Sequence, residues 1–189
     1  MASLSEYTGE LLNHLETLYR PGERELAVEL ATALGFEIRD TGFKGDTDST
    51  FLGVHPNADE KDSRNNAFFM SEMTIEQQAM EQQLRKCCES DPDLAATVAD
   101  YRRIARTRSF GVPHFGIRLR SSAALQAALE RIETTIKPKL GDRIEVNAFW
   151  TGAPGVEDSS LTQVFIHQDV IVSGSFLLGQ VIELQVQKA

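Results

Sequence analysis

Cysteine and tryptophan are nearly absent. The 189-residue chain has two cysteines, Cys87 and Cys88, and one tryptophan, Trp150. Neighbouring cysteines do not readily bridge each other, so no disulfide framework is indicated and a reducing, cytoplasmic setting is expected. Basic charge is short as well: 19 Lys and Arg stand against 28 Asp and Glu, a formal charge of −9. That balance suits neither nucleic acid nor an anionic membrane surface, both of which reward a basic protein. No apolar run nears the ~20 residues that a bilayer crossing needs. The opening stretch Met1-Ala2-Ser3-Leu4-Ser5-Glu6-Tyr7 lacks the basic and apolar regions of a secretory signal. Glycine-rich phosphate loops, Ser-His-Asp signatures and zinc-finger spacings are missing too. The rest is ordinary for a globular protein, with 41% hydrophobic and 25% charged residues. The length suits one domain or two small modules sharing a core.

The most informative stretch is Pro113-His114-Phe115-Gly116-Ile117-Arg118-Leu119. Its alternation predicts a strand with two faces: Phe115, Ile117 and Leu119 on one, His114, Gly116 and Arg118 on the other. A similar stretch, Leu12-Asn13-His14-Leu15-Glu16-Thr17-Leu18, lies 100 residues earlier. After each, the pattern reads helix and then strands. In the first half a helix is expected from Glu23 to about Leu34, ended by Gly35. Strands then follow at 36–43, 50–54 and 67–73, with His55 as a loop residue. In the second half Ser121 or Ser122 caps a helix bearing Leu125, Ala128, Leu129, Ile132 and Ile136, closed by Pro138 and Gly141. Strands follow at 143–150, at 161–172 with an interruption near Gln168-Asp169, and at 179–187. In the last of these Ile182, Leu184 and Val186 oppose Val181, Glu183 and Gln185. Between the halves, Thr74 with Gln77 spells a capping box, and Pro92 suits the first position of a second helix. The expectation is therefore an α+β fold of two βαβββ modules: residues 1–73, a helical insertion at 74–111, and residues 112–189.

This order resembles the vicinal oxygen chelate superfamily, which includes glyoxalase I, the fosfomycin-resistance proteins and extradiol dioxygenases. The residues carrying the likeness are Asn13-His14-Leu15, Pro113-His114-Phe115-Gly116-Ile117 and Gly179-Gln180-Val181-Ile182-Glu183-Leu184. The resemblance implies two half-barrel cups facing each other around a divalent metal, with ligands from the first and last strands of each unit. It assigns His14, His114 and Glu183 as ligands and offers Glu72 as a fourth ligand or a catalytic base. Phe68, Met70 and Glu72 share a face, so Met70 competes for that row, and Glu72 also competes as a cap for the helix after it. Two imidazoles and a carboxylate suit iron, manganese, nickel or zinc, and a three-ligand set leaves positions open for a chelating substrate. The implied activity is a lyase, an isomerase or a ring-cleaving dioxygenase acting on a small oxygenated molecule. A metal-free binding or drug-sequestering protein of the same fold, using Trp150, Phe149 and Arg118, is the alternative, and a homodimer through the helical insertion is a further one.

The remaining candidates carry two readings each. Arg118 either binds a substrate carboxylate or forms a rim salt bridge. His167 and Asp169 either serve as acid and base or sit at a sheet edge, and the edge is the default. Arg102, Arg103, Arg106 and Arg108 read as a solvated helix face. Tyr19, Phe149 and Trp150 read as core before pocket, and Cys87 and Cys88 as helical residues without chemistry.

Overall fold

The computed structural model describes residue 12 and residues 14–45, 47–59, 66–107, 111–151 and 161–187, with 148–151, 161 and 187 described by backbone alone. Asn13, Arg108, most of the 57–66 loop and the 152–160 loop lie outside the described residues. Two βαβββ modules make up the fold. The first holds β1 (His14–Tyr19), α1 (Arg24–Ala33), β2 (Glu37–Lys44), β3 (Thr50–His55) and β4 (Ala67–Glu72). Helices α2 (Ile75–Ser90) and α3 (Pro92–Thr107) follow. The second module holds β5 (His114–Arg118), α4 (Ser122–Arg131), α5 (Lys137–Leu140), β6 (Ile144–Thr151), β7 (Leu161–Gln168) and β8 (Gln180–Gln187). The sheet orders are β1-β4-β3-β2 and β5-β8-β7-β6, so each module repeats the other's topology. In each, the first strand pairs parallel with the last.

Local chemistry sets the helix ends. At the end of α1, Phe36 N–H donates to Ala31 and Gly35 N–H to Thr32, a Schellman closure with Gly35 at φ 95°. Thr74 accepts from Gln77 N–H at 3.2 Å, which is half of the expected capping box. The Gln77 side chain instead donates to Gly174 O at 3.2 Å and ties α2 to the second module. Asp91 caps α3 by accepting from Asp93 and Leu94 N–H, both at 3.0 Å. Pro138 does not close the helix that begins at Ser122. A π-turn at Ile132–Ile136 precedes it, and α5 carries on to Leu140. The wider turn accommodates a residue that has no N–H to give to the regular ladder.

Helices α1, α4 and α5 share one core with both sheets. Leu30 and Ala31 of α1, Met70 and Val54 of the first sheet, Ile132 and Ile136, and Ile182 and Leu184 of the second sheet belong to a single buried cluster. Arg131 donates from Nε to Ala33 O at 2.8 Å across the α1–α4 contact. At the opposite edge, Leu18 and Val172 exchange two backbone bonds of 2.7 and 3.0 Å, joining β1 to the segment after β7. Among the described residues no helix is long and apolar enough to cross a membrane.

Candidate functional site

Strand parity decides which side chains meet. In β5, Phe115 and Ile117 pack toward the core, which leaves His114, Gly116 and Arg118 on the inner face. In β8 the core takes Ile182, Leu184 and Val186. Register then sets Gly116 against Glu183 and Arg118 against Gln185. His114 Nε2 lies 3.3 Å from Glu183 Oε2, with the histidine side chain 30% exposed and the glutamate 8%. The other ring nitrogen, Nδ1, lies 3.0 Å from Val112 O. A carbonyl only accepts, so Nδ1 carries a proton. In the neutral ring Nε2 then presents its lone pair to Glu183.

The carboxylate is fixed as well. Gln163 Nε2 donates to Glu183 Oε1 at 2.5 Å, which leaves Oε2 toward the imidazole. Gly116 makes the arrangement fit, since a Cβ there would stand 3.3 Å from Glu183 Oε2 and 3.4 Å from its carboxyl carbon. The ring of Phe165 meets His114 edge-on at 5.8 Å.

No protein-family model and no curated protein matches the chain. Among solved structures the chain is similar to a hypothetical protein from S. aureus, at 9% identity and a TM-score of 0.43, over 94% of this chain and 95% of that one. At that score the likeness assigns neither family nor chemistry.

The first module does not complete the expected ligand set. His14 stands on the inner row of β1 with Glu16, opposite the row of Thr17 and Tyr19 that is buried. Its ring meets Phe69 edge-on at 5.4 Å, and Glu16 accepts from Ser71 Oγ. Among the described residues no three His, Cys, Asp or Glu side chains are grouped to hold a metal, so His14 is not joined to His114 and Glu183. Glu72 requires a correction. It shares the row of Phe68 and Met70, both of which lie in the core against the helices. His14 pairs with Ala67 at one end of β4, while Glu72 pairs with Tyr19 at the other. Its carboxylate accepts from Ser49 Oγ at 2.9 Å. Glu72 is therefore neither beside His14 nor the cap of α2, a place that Thr74 holds.

Other expectations change with packing. His55 is the last residue of β3 and 1% exposed, not a loop residue. His167 and Asp169 are not edge residues, being 1% and 8% exposed. His167 shares the inner row of β7 with Gln163 and Phe165. Burial, and then the positive charge of Arg106, holds its pKa below the ordinary histidine value. That inner face is covered: Ile104 and Ala105 of α3 pack on Phe165 and Val181. Arg106 reaches Asp142 O at 3.0 Å and Glu145 at 3.7 Å, so it clamps α3 to the sheet instead of lying in solvent. Arg103 pairs with Asp100 on the exposed face. Tyr19 is core at 0% exposure. Arg118 is exposed and has no ion pair among the described residues. The side chains of Phe149 and Trp150 lie outside the described set.

Two supporting residues went unread in the sequence. Gln163 was visible in principle, as the polar member of an inner row with Phe165 and His167. The Val112 carbonyl carries no side-chain signal.

Proposed function

We propose that the protein is a metal-dependent, glyoxalase-like cytoplasmic enzyme acting on a small oxygenated substrate that chelates a divalent ion. The observation that supports this is the His114–Glu183 contact. With Nδ1 committed to Val112 O, Nε2 faces a carboxylate oxygen at 3.3 Å, and in the neutral ring both are acceptors. Two acceptors so placed repel unless a cation or a proton is shared between them. A histidine whose far nitrogen donates to a backbone carbonyl is the usual arrangement of a metal-binding imidazole. The donor pair fits iron, manganese, nickel or zinc. When bound, the ion would polarise a substrate oxygen as a Lewis acid.

The chain's own residues do the rest. Gln163 and Val112 fix the two donors, and Gly116 leaves room above the carboxylate. Arg118, on the same row as His114, would take the anionic end of a substrate. Helix α3 keeps water from the apolar floor of Phe165 and Val181.

A metal-free binding protein is the second reading. The same 3.3 Å contact favours it, because an imidazolium–carboxylate pair needs no metal. Elemental analysis of protein purified without chelator separates the two. Stoichiometric metal that is lost in both His114→Ala and Glu183→Gln supports the enzyme. A folded protein that takes up no iron, manganese, nickel or zinc, or that keeps its metal in both variants, rejects it.

A further inference from the structure

Away from His114 and Glu183, a cavity of about 520 Å³ opens where the two modules meet under α2. That volume lies within the ~300–1,000 Å³ range of small-molecule sites. Arg20 follows β1, Arg143 precedes β6, and Arg85 comes from α2; Met73 and Phe176 supply apolar wall.

The carboxylates around the cavity are already engaged. Glu23 accepts from Arg143 Nη1 and Nη2, both at 2.9 Å, and from Arg20 Nη1 at 3.2 Å. Asp169 accepts from Arg143 Nε at 2.8 Å and Arg20 Nη2 at 3.1 Å. Glu81, 4% exposed, accepts from the backbone N–H of Phe176 and Leu177 at 2.9 and 3.1 Å.

Donors are left over. A guanidinium has five N–H groups. Among the described residues Arg20 makes three bonds and Arg143 makes three. Arg85 makes no ion pair or hydrogen bond among the described residues, and it lines the cavity with Gln78 and Gln82. Positions 78, 82 and 85 share one helix face. The formal charges at the cavity cancel, but every carboxylate there already has a donor, whereas Arg85 has no partner among the described residues.

We propose that this cavity binds a small organic carboxylate. Its head group is held by Arg85 with the Gln78 and Gln82 amides and the spare N–H groups of Arg20 and Arg143. Its body lies along the aliphatic stems of the lining side chains, next to the Arg20 guanidinium that stacks on the buried Phe176 ring at 4.5 Å.

Titration calorimetry of the full chain with 2-naphthoate, against 2-naphthamide as the neutral isostere, tests this. Running it in EDTA separates the outcome from any metal at His114 and Glu183. The expected result is saturable binding of one naphthoate and none of the amide. Arg85 is exposed, so Arg85→Ala keeps the fold, as circular dichroism will verify, and weakens naphthoate about tenfold or more. Gln82→Glu, placing a negative charge at the head-group position, weakens it as well. Equal binding of acid and amide, no naphthoate binding at millimolar concentration, or unchanged affinity in Arg85→Ala overturns the proposal.

Discussion

Changing Asp169 to asparagine removes one charge and little volume from the ion network that joins the modules. The Asp169 side chain is 11% exposed, Arg20 18% and Arg143 31%. Asparagine can still accept from Arg143 Nε, but its amide NH2 then confronts Arg20 Nη2, donor against donor. Removing one partner of a buried pair costs about 3–5 kcal/mol. Partial exposure of the arginines places this case at the lower end, about 3 kcal/mol. For a chain of this size that lowers Tm by about 6–12 °C. Urea titration at pH 7 measures it, and a cycle with Arg143→Met isolates the pairwise share.

The dependence on pH has a definite sign. Burial raises the Asp169 pKa, but Arg20 and Arg143 outweigh it and hold the carboxyl below its usual 3.8. A depressed carboxylate stabilises the fold fully above its unfolded-state value and loses that contribution as pH falls through the folded-state value. The gap between wild type and Asp169→Asn should therefore be complete at pH 7 and close in acid below about pH 4. A gap under about 0.5 kcal/mol at pH 7, the size of an ordinary surface change, would refute the reasoning, as would a gap that persists unchanged in acid.

Further expectations concern the second module and the α2 cap. Gly179 has φ 75°, and a Cβ there would stand 2.8 Å from the His167 ring and 3.1 Å from Gln168 O. Gly179→Ala should cost about 2–3 kcal/mol in chemical denaturation, from backbone strain and overpacking together; Gly174→Ala, with open space around it, is the control that must stay near zero. His167 should titrate below 6.5 in an NMR experiment, since burial and then Arg106 disfavour its charged form. A midpoint at or above 6.5 would mean that α3 does not cover it. As an unprotonated buried histidine it favours the fold above pH 6.5 and opposes it progressively below. Thr74→Ala should lose about 1 kcal/mol by removing the α2 cap, and equal urea midpoints for the two proteins would count against that bond.

What the sequence determined by itself is local. Alternation in Pro113–Leu119 and Gly179–Gln187 put His114 and Arg118 on one row and Glu183 on another, each opposite an apolar row, because strand side chains switch sides every residue. Gly35, Thr74 and Pro92 marked helix boundaries for equally local reasons of backbone geometry. In β4, Phe68, Met70 and Glu72 form one row, and alternation could not say whether it faces the helices; Glu72 was offered as a ligand by the resemblance, and the burial of Phe68 and Met70 in the core decided against it. Only the tertiary structure decided the rest. Register brought Gly116 opposite Glu183. Docking of α3 buried His167 and engaged Arg106. The meeting of the modules joined Arg20 and Glu23 to Arg143 and Asp169, more than a hundred positions away. Contacts of that span depend on how whole elements pack, and no short-range period encodes them.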